Sequence, residues 1–402
     1  SPKEVNGPDL NIPSLAFRAW YEAQFGAVSW MQLGKIPTKM WMEYLIWYRR
    51  VLNLPVKNLI KLDTFEPYKD IQKVSSHCLQ TNTKKIIFAR KLVLATGIET
   101  SGEWWSPPIS DKVPKEYWAH ASEMIDFDSL AGKQVAVLGA GASAMDNAVA
   151  ALAADARQVS VFCRRSELQR VQPFKWLSFP GFLRHFSELD DEWRWKFMVH
   201  LLGLREAFPK ETWERVNQYS NFCLETGTPW QDLSIVDEKV CIETPKGKFL
   251  ADFLIFGTGF VIDISRRSEL QNYTDLIALW KDRYACPNDE TGSMLSNYPY
   301  LGDGFEFLEK DPGTASWLRN IHLFTFGTTM SFGPSGASIN AMKFAVPKLV
   351  NAITKDLFFD DIDTHYKSLK AYDLPEFAML GDSGEVAPNA PQVRRLEDDS
   401  FD

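Results

Sequence analysis

A glycine-rich segment at residues 139–144, Gly-Ala-Gly-Ala-Ser-Ala, has the residue types that bind a pyrophosphate. It follows the apolar run 134–138 and precedes an alanine-rich stretch, which predicts a strand, a tight turn and a helix. Gly139 would permit the bend, Gly141 would let a phosphate approach the backbone, and the helix N-terminus would stabilise its charge. This pattern favours a dinucleotide site over a purely structural turn, and the residues concerned are Gly139, Ala140, Gly141, Ala142, Ser143 and Ala144.

Two arginines, Arg164 and Arg165, follow the second apolar run of this unit, residues 159–163. A unit that binds NAD usually has an acidic residue at this position, where it accepts hydrogen bonds from the ribose hydroxyls. Guanidinium groups instead suit the 2′-phosphate of NADPH, which they bind through paired hydrogen bonds. The alternative is an exposed pair of surface charges. The missing acid and the two arginines together predict NADPH as the nucleotide.

These residues must be positioned by a strand–helix–strand unit, and residues 133–165 have its pattern. Residues 172–230 are aromatic and helical in character, and strand-like sequence returns between Leu233 and Gly259. We therefore predict a helical insertion over residues 172–230 within the nucleotide-binding unit. Its tryptophans could cover a substrate channel or lie on a membrane surface, although packing in a core is the simpler interpretation.

Apolar periodicity also predicts elements outside this unit. Helices are expected over residues 14–21 and 38–51, and the second should be largely buried because it is apolar around most of its circumference. The continuous apolar run 91–97 predicts a strand that is buried on both faces. A helix over residues 339–353 follows the Gly/Ser turn 333–338, where free backbone N–H groups could bind an anion.

Composition excludes several classes of protein. With 402 residues the chain should form about two to three structural units. A net charge of −8 disfavours nucleic acid as a partner, and no apolar run reaches the roughly 20 residues that span a bilayer. The five cysteines form no Cys-x-x-Cys pair, which argues against a zinc site or a disulfide framework and favours a cytoplasmic location. No metal site and no Ser-His-Asp set is evident, and a homo-oligomer remains open.

The order of these motifs resembles the flavin-containing monooxygenases, which are class B flavoprotein monooxygenases. The matching segments lie between residues 36 and 353 and are 36–45, 92–97, 132–144 and 253–259. The resemblance implies an α/β fold with two dinucleotide-binding domains, in which a Rossmann-like NADPH domain is inserted into an FAD domain.

The resemblance also implies domain boundaries. Residues 1–130 would form the first part of the FAD domain, 131–260 the NADPH domain, and 261–381 the second part of the FAD domain. Residues 382–402, which are rich in Pro, Asp and Glu, are expected to be disordered.

The activity implied by the resemblance is monooxygenation, in which NADPH reduces FAD, O2 adds to the reduced flavin and the peroxyflavin oxygenates a nitrogen, sulfur or carbonyl centre of a small molecule. Protein groups would position the reactants and exclude water. The pairs Thr96-Gly97 and Thr258-Gly259 would lie where the two domains join, and Gly327 where the last flavin-domain strand approaches the cofactor. The structural alternative is that these glycines only end buried strands.

Two positions depart from the family pattern. No Gly-x-Gly-x-x-Gly precedes Gly139, so the first βαβ unit of the FAD domain is expected to lie outside this sequence, unless the protein is a natural variant that lost tight FAD binding. The fingerprint Phe-x-Gly-x-x-x-His-x-x-x-aromatic retains only His120, which either takes part in function or packs at the domain junction. No catalytic residue is assigned. An NADPH oxidase or flavin reductase, or a non-catalytic NADPH sensor, remains an alternative.

Overall fold

The computed structural model describes residues 10, 12–34, 36–69, 75–97, 101–204, 206–285, 294–336 and 338–377. The chain divides into two compact units, Ser1–Ala352 and Ile353–Asp402. The segment predicted to be disordered, 382–402, lies outside the described residues. No helix in the described ranges is both long enough and apolar enough to cross a membrane.

The strands and helices are numbered separately along the chain. The strands are β1 Leu62–Lys69, β2 Ser75–Thr81, β3 Ile86–Ala89, β4 Leu92–Leu94, β5 Gly102–Trp104, β6 Trp118–His120, β7 Gln134–Leu138, β8 Gln158–Cys163, β9 Phe222–Thr226, β10 Asp232–Val236, β11 Lys239–Thr244, β12 Gly247–Ala251, β13 Phe253–Phe256, β14 Phe260–Ile262 and β15 Ile321–Leu323. The helices are α1 Phe17–Gln32, α2 Thr38–Val51, α3 Ala142–Ala153, α4 Pro173–Trp176, α5 Pro180–His185, α6 Asp191–Leu204, α7 Lys210–Val216, α8 Trp280–Arg283, α9 Thr329–Phe332, α10 Ile339–Asp360 and α11 Ile362–Lys370.

A five-stranded parallel sheet forms the nucleotide-binding part, in the order β6-β13-β7-β8-β9. The helix α3 connects β7 to β8 and covers one face, because Met145, Val149 and Leu152 are spaced to point toward the sheet. The antiparallel sheet β10-β11-β12 covers the opposite face, where Phe162 and Ile242 belong to one buried cluster. The predicted strand–helix–strand unit and its α/β class are confirmed.

The helical insertion is shorter than the sequence pattern predicted. Helices α4 to α7 occupy it only as far as Val216, whereas Phe222–Thr226 forms β9 and pairs in parallel with β8. The boundary at residue 230 was therefore wrong. The aromatic Phe222 that suggested a helix instead packs against the cluster around α3, together with Leu224 on the same face of the strand.

Two burial predictions were also wrong. Helix α2 buries only Tyr44 and Tyr48, whereas Met42 and Ile46 are exposed, because a single face of the helix packs on the aromatic cluster of α1. Among the described residues, the strand predicted over 91–97 is three residues long and pairs only with β15, and its central residue Val93 is exposed.

Candidate functional site

The predicted phosphate-binding turn lies at the carboxyl end of β7. Gly139 has a φ of +114°, a conformation that glycine adopts without steric cost. Its N–H donates to the Phe162 carbonyl at 2.8 Å, and a Cβ at this position would lie 2.3 Å from the carbonyl oxygen of Gly257. The bend therefore requires glycine for two reasons, conformation and space.

Gly257, at the end of β13, sets how closely the helix approaches the sheet. A Cβ on Gly257 would lie 2.4 Å from the Cβ of Ala144 in the first turn of α3. Ala144 is fully buried, as the predicted close packing of helix on strand requires. Sequence reasoning missed Gly257. The signal in the sequence is the Phe-Gly-Thr-Gly segment 256–259, whose first glycine is Gly257.

Gly141 differs from both of these glycines. Its φ is −80°, and a Cβ added there would have no atom within 4 Å. Gly141 is the N-cap of α3, and no side chain caps that end. The turn thus leaves open space beside uncapped N–H groups at the start of a helix. This is the arrangement that accommodates a pyrophosphate, so these residues fit the group that the sequence predicted.

The carboxyl end of β8 carries the two predicted arginines, Arg164 and Arg165, and both are exposed. Arg165 donates from Nη1 to the Leu204 carbonyl at 2.8 Å and from Nη2 to the Gly203 carbonyl at 2.7 Å. Its guanidinium therefore caps the C-terminus of α6.

A third cation, Lys246, comes to the same strand end from the turn between β11 and β12. Its Nζ donates to the carbonyl of Thr226, the last residue of β9, at 2.6 Å. Thr226 lies directly opposite Cys163 in the parallel ladder. Burial raises the pKa of the Cys163 thiol, and the charges of Lys246 and Arg165 are among the effects that oppose this shift. No sequence pattern connected Lys246 with this strand end.

Thr258 and Gly259 lie where the chain leaves the nucleotide-binding part, and they contact Trp105 in the segment by which the chain enters it. The hydroxyl of Thr258 donates to the Trp105 carbonyl, and the N–H of Trp105 donates to the Gly259 carbonyl at 2.9 Å. Strands β5 and β14 continue this pairing as an antiparallel ribbon. Thr258 and Gly259 therefore hold together the segments by which the chain enters and leaves the nucleotide-binding part. Their contact with a cofactor stays a prediction.

His120 is buried at the carboxyl end of β6, with 4% of its surface exposed. The Ser122 N–H donates to Nδ1 at 3.2 Å, which makes Nδ1 the unprotonated nitrogen of a neutral ring. Burial lowers the pKa of His120 and keeps the imidazole neutral near pH 7. Its ring packs against Trp104 of β5 at a centroid distance of 5.3 Å. His120 therefore packs against the linker strand β5, and a part for it in function stays a prediction.

The predicted flavin-side residues follow the carboxyl ends of the two strands of the parallel pair β4–β15. Thr96 and Gly97 follow β4 and are exposed, whereas Gly327 is buried after β15. The Gly327 N–H donates to Ser101 Oγ at 2.9 Å, and the hydroxyls of Ser101 and Thr325 are hydrogen-bonded to each other. The Gly327 N–H is thus used within the protein, so any flavin contact of this residue, which stays a prediction, would have to come from other atoms.

A polar cluster connects α6 with the segments before and after β15. Arg194 forms an ion pair with Asp191, and the Tyr300 hydroxyl lies 3.0 Å from Asp191 Oδ1. The Arg194 guanidinium also stands over the Trp280 ring, 5.3 Å from its centroid. Trp195 is buried in the adjoining apolar cluster, whereas Trp193 is half exposed. These contacts hold the N-terminal part of α6, and the hydrogen bonds of Arg165 hold its C-terminus.

Among the described residues, no group of three or more His, Cys, Asp or Glu side chains could hold a metal ion.

A parallel sheet with a glycine turn after its central strand β7, joined by paired linkers to a second set of strands, defines the class of two-dinucleotide-domain flavoproteins. Residues 33–197 match the pyridine nucleotide-disulphide oxidoreductase family model. A FAD-dependent urate hydroxylase from Xanthomonas campestris pv. campestris is 37% identical over 378 residues, which cover 94% of this chain and 79% of that protein. The chain belongs to the flavin monooxygenase family, and it is an oxidoreductase.

Solved structures show the same fold at lower sequence identity. The FAD-bound cadaverine monooxygenase of the desferrioxamine pathway from Erwinia amylovora is 14% identical, with a TM-score of 0.64 over 86% of this chain and 80% of that one. The ornithine N-hydroxylase of Kutzneria sp. 744, with reduced FAD, NADP+ and L-ornithine, is 14% identical, with a TM-score of 0.62 over 87% of this chain and 85% of that one. Both likenesses support the predicted two-domain flavoprotein fold.

Proposed function

We propose that this protein is an FAD- and NADPH-dependent monooxygenase that hydroxylates a small molecule, with urate as the first substrate to test. In the overall reaction NADPH supplies two electrons, one atom of O2 enters the substrate and the other leaves as water. The observation that carries this proposal is the open, uncapped turn at Gly141, in a chain 37% identical to a FAD-dependent urate hydroxylase.

The nicotinamide nucleotide would bind along the carboxyl edge of the five-stranded sheet. The turn 139–144 would hold the pyrophosphate through backbone N–H groups, and Ala144 and Gly257 would keep α3 against the sheet. The exposed Arg164 at the end of β8 would face the phosphorylated ribose. The proposed NADPH domain is residues 131–260, between the two parts of the FAD domain, 1–130 and 261–381.

FAD, when bound, would supply the chemistry that accepts a hydride from the nicotinamide and activates O2. Thr96 and Gly97 are exposed at the carboxyl edge of β4–β15, where parallel sheets bind ligands, and they would contact this cofactor. The neutral His120 and the Trp104 ring would help to close the junction to water. None of these side chains needs to form or break a bond with the substrate.

The substrate class follows from the relative rather than from a cavity. The protein with 37% identity is a urate hydroxylase, whereas the amine monooxygenases share 14% identity and indicate the fold alone. Because a monooxygenase inserts one atom of O2 and reduces the other to water, hydroxylation would consume one NADPH and one O2 for each urate.

The test uses the whole chain supplied with FAD. Flavin uptake is measured by visible absorbance, NADPH oxidation at 340 nm, and urate loss and peroxide release in the same reaction. We expect a yellow protein whose NADPH oxidation is accelerated by urate and accompanied by equal urate loss. Peroxide formation that equals NADPH consumption, with urate unchanged, would favour an NADPH oxidase. A protein that takes up no FAD would contradict the proposal.

A further inference from the structure

The carboxyl end of β8 is the place where the adenosine ribose of a bound dinucleotide lies in this class of sheet. The neighbouring strand on that side is β9, which pairs with β8 through Cys163 and Thr226. The chain beyond β9 turns back toward β8, since Gly227 N–H donates to the Arg165 carbonyl at 2.7 Å. Any group that recognises a 2′-phosphate must therefore reach the edge formed by these two strand ends.

Arg165 does not meet this requirement. Its two terminal nitrogens donate to Gly203 and Leu204, the last two residues of α6, and thus use the fork that would otherwise bind a phosphate in bidentate fashion. A cation at a helix C-terminus is also favoured by the partial negative charge of the free carbonyls. The hydrogen bonds of Arg165 therefore hold α6 of the insertion at the end of β8.

Lys246 does meet the requirement. Its ammonium is anchored at 2.6 Å on the Thr226 carbonyl, and one hydrogen bond leaves two of its three protons for another acceptor. The turn that presents it is itself ordered, because the Lys246 N–H donates to Thr244 Oγ1 at 3.2 Å and this hydroxyl donates to the Gly247 carbonyl at 2.9 Å. A positive charge is therefore held at the end of β9 before any nucleotide binds.

We propose that Lys246 and Arg164 together recognise the 2′-phosphate of NADPH, while Arg165 positions helix α6 and contributes nothing to the choice between NADPH and NADH. This assignment rests on the proposed NADPH dependence. It replaces a two-arginine site, which the sequence predicts, with one cation from β8 and one from the turn after β11. The ligand class is a phosphorylated ribose, and the site discriminates it from a ribose with free hydroxyls.

The experiment measures the dissociation constants of NADP+ and NAD+ by titration calorimetry on the full chain, so that it does not depend on turnover. We expect Lys246→Ala and Arg164→Ala each to weaken NADP+ about tenfold, the effect of one exposed charged contact, and to leave NAD+ unchanged. Lys246→Arg should retain most of the affinity for NADP+ because it keeps the charge.

Two controls separate phosphate recognition from folding and from general charge. Lys248→Ala removes a nearby cation whose ammonium pairs with Glu243, and it should change neither constant. Arg165→Ala should lower the unfolding temperature while leaving the ratio of the two constants at its wild-type value. The inference is overturned if Lys246→Ala keeps the wild-type preference for NADP+ over NAD+, or if Arg165→Ala abolishes that preference. Either result leaves the proposed function intact. Wild-type protein that binds neither nucleotide overturns the proposed function as well.

Discussion

Two glycines of the nucleotide site should differ in how the same added methyl group changes the stability of the protein. In Gly257→Ala the new Cβ would stand 2.4 Å from Ala144 Cβ and 2.8 Å from Ala144 Cα. Carbon atoms in contact prefer at least about 3.5 Å, so α3 would have to move by roughly 1 Å. Overpacking of this kind costs about 1–3 kcal/mol. We expect a value near the upper end, because the contact includes backbone on both sides.

Gly141→Ala is the matched variant. Its φ of −80° suits an alanine, and no atom lies within 4 Å of the added methyl group. Alanine restricts the unfolded chain, which stabilises by about 0.4–1 kcal/mol, but it is a poorer N-cap than glycine. Because these effects oppose each other, the free energy of unfolding should change by less than about 0.5 kcal/mol. The methyl group would instead occupy the space of the pyrophosphate, and NADP+ affinity should fall about tenfold or more.

Urea unfolding and calorimetric titration of NADP+ on both variants test this pair. Gly257→Ala should lose stability and, because α3 is displaced, affinity as well. Gly141→Ala should lose affinity alone. If Gly141→Ala binds NADP+ as tightly as the wild type, the turn does not hold the pyrophosphate. If both variants are equally destabilised, the methyl group at position 141 does not lie in open space.

Three further predictions concern residues outside the turn. Ser101→Ala removes an acceptor of the buried Gly327 N–H and should lower the free energy of unfolding by about 1–2 kcal/mol in urea titration; an unchanged midpoint would contradict this. Burial lowers the pKa of His120 below 6.5, so the unfolded chain binds this proton more tightly and stability should fall as the pH decreases through about 6.5. Unfolding curves between about pH 7.5 and 5.5 should show this slope, and His120→Asn should flatten it. Tyr300→Phe removes the hydroxyl bonded to Asp191 and should cost about 1 kcal/mol in the same assay, and a larger loss would mean that the hydroxyl organises the whole cluster.

The sequence predicted those parts of the site that depend on neighbouring residues. The turn at Gly139 and Gly141 was predictable because a strand, a glycine turn and a small residue at position 144 follow each other directly. The contact between Gly257 and Ala144 was not, since it joins residues far apart in the chain. The same reason applies to Lys246, which reaches Thr226 through a turn with no nucleotide-binding signature.

Aromatic residues were the other source of error. Their density between residues 172 and 230 correctly indicated helices, but the same residue types also favour strands, and Phe222 belongs to β9. Arg165 shows a related limit. An arginine after a strand fits a phosphate site by type, and only the position of α6 reveals that its side chain binds two carbonyls.

The ribbon formed by β5 and β14 limits how the nucleotide-binding part can move. The chain enters and leaves that part through segments hydrogen-bonded to each other, and a Cβ on Gly102 would lie 1.9 Å from the Val261 carbonyl oxygen. Two separate single-stranded hinges would permit bending in any direction. A paired ribbon resists stretching and splaying and yields most easily to torsion about its own axis. Any side chain larger than hydrogen at position 102 would push β5 and β14 apart. A single substitution at this position would therefore disturb both backbone connections between the nucleotide-binding and the flavin-side strands.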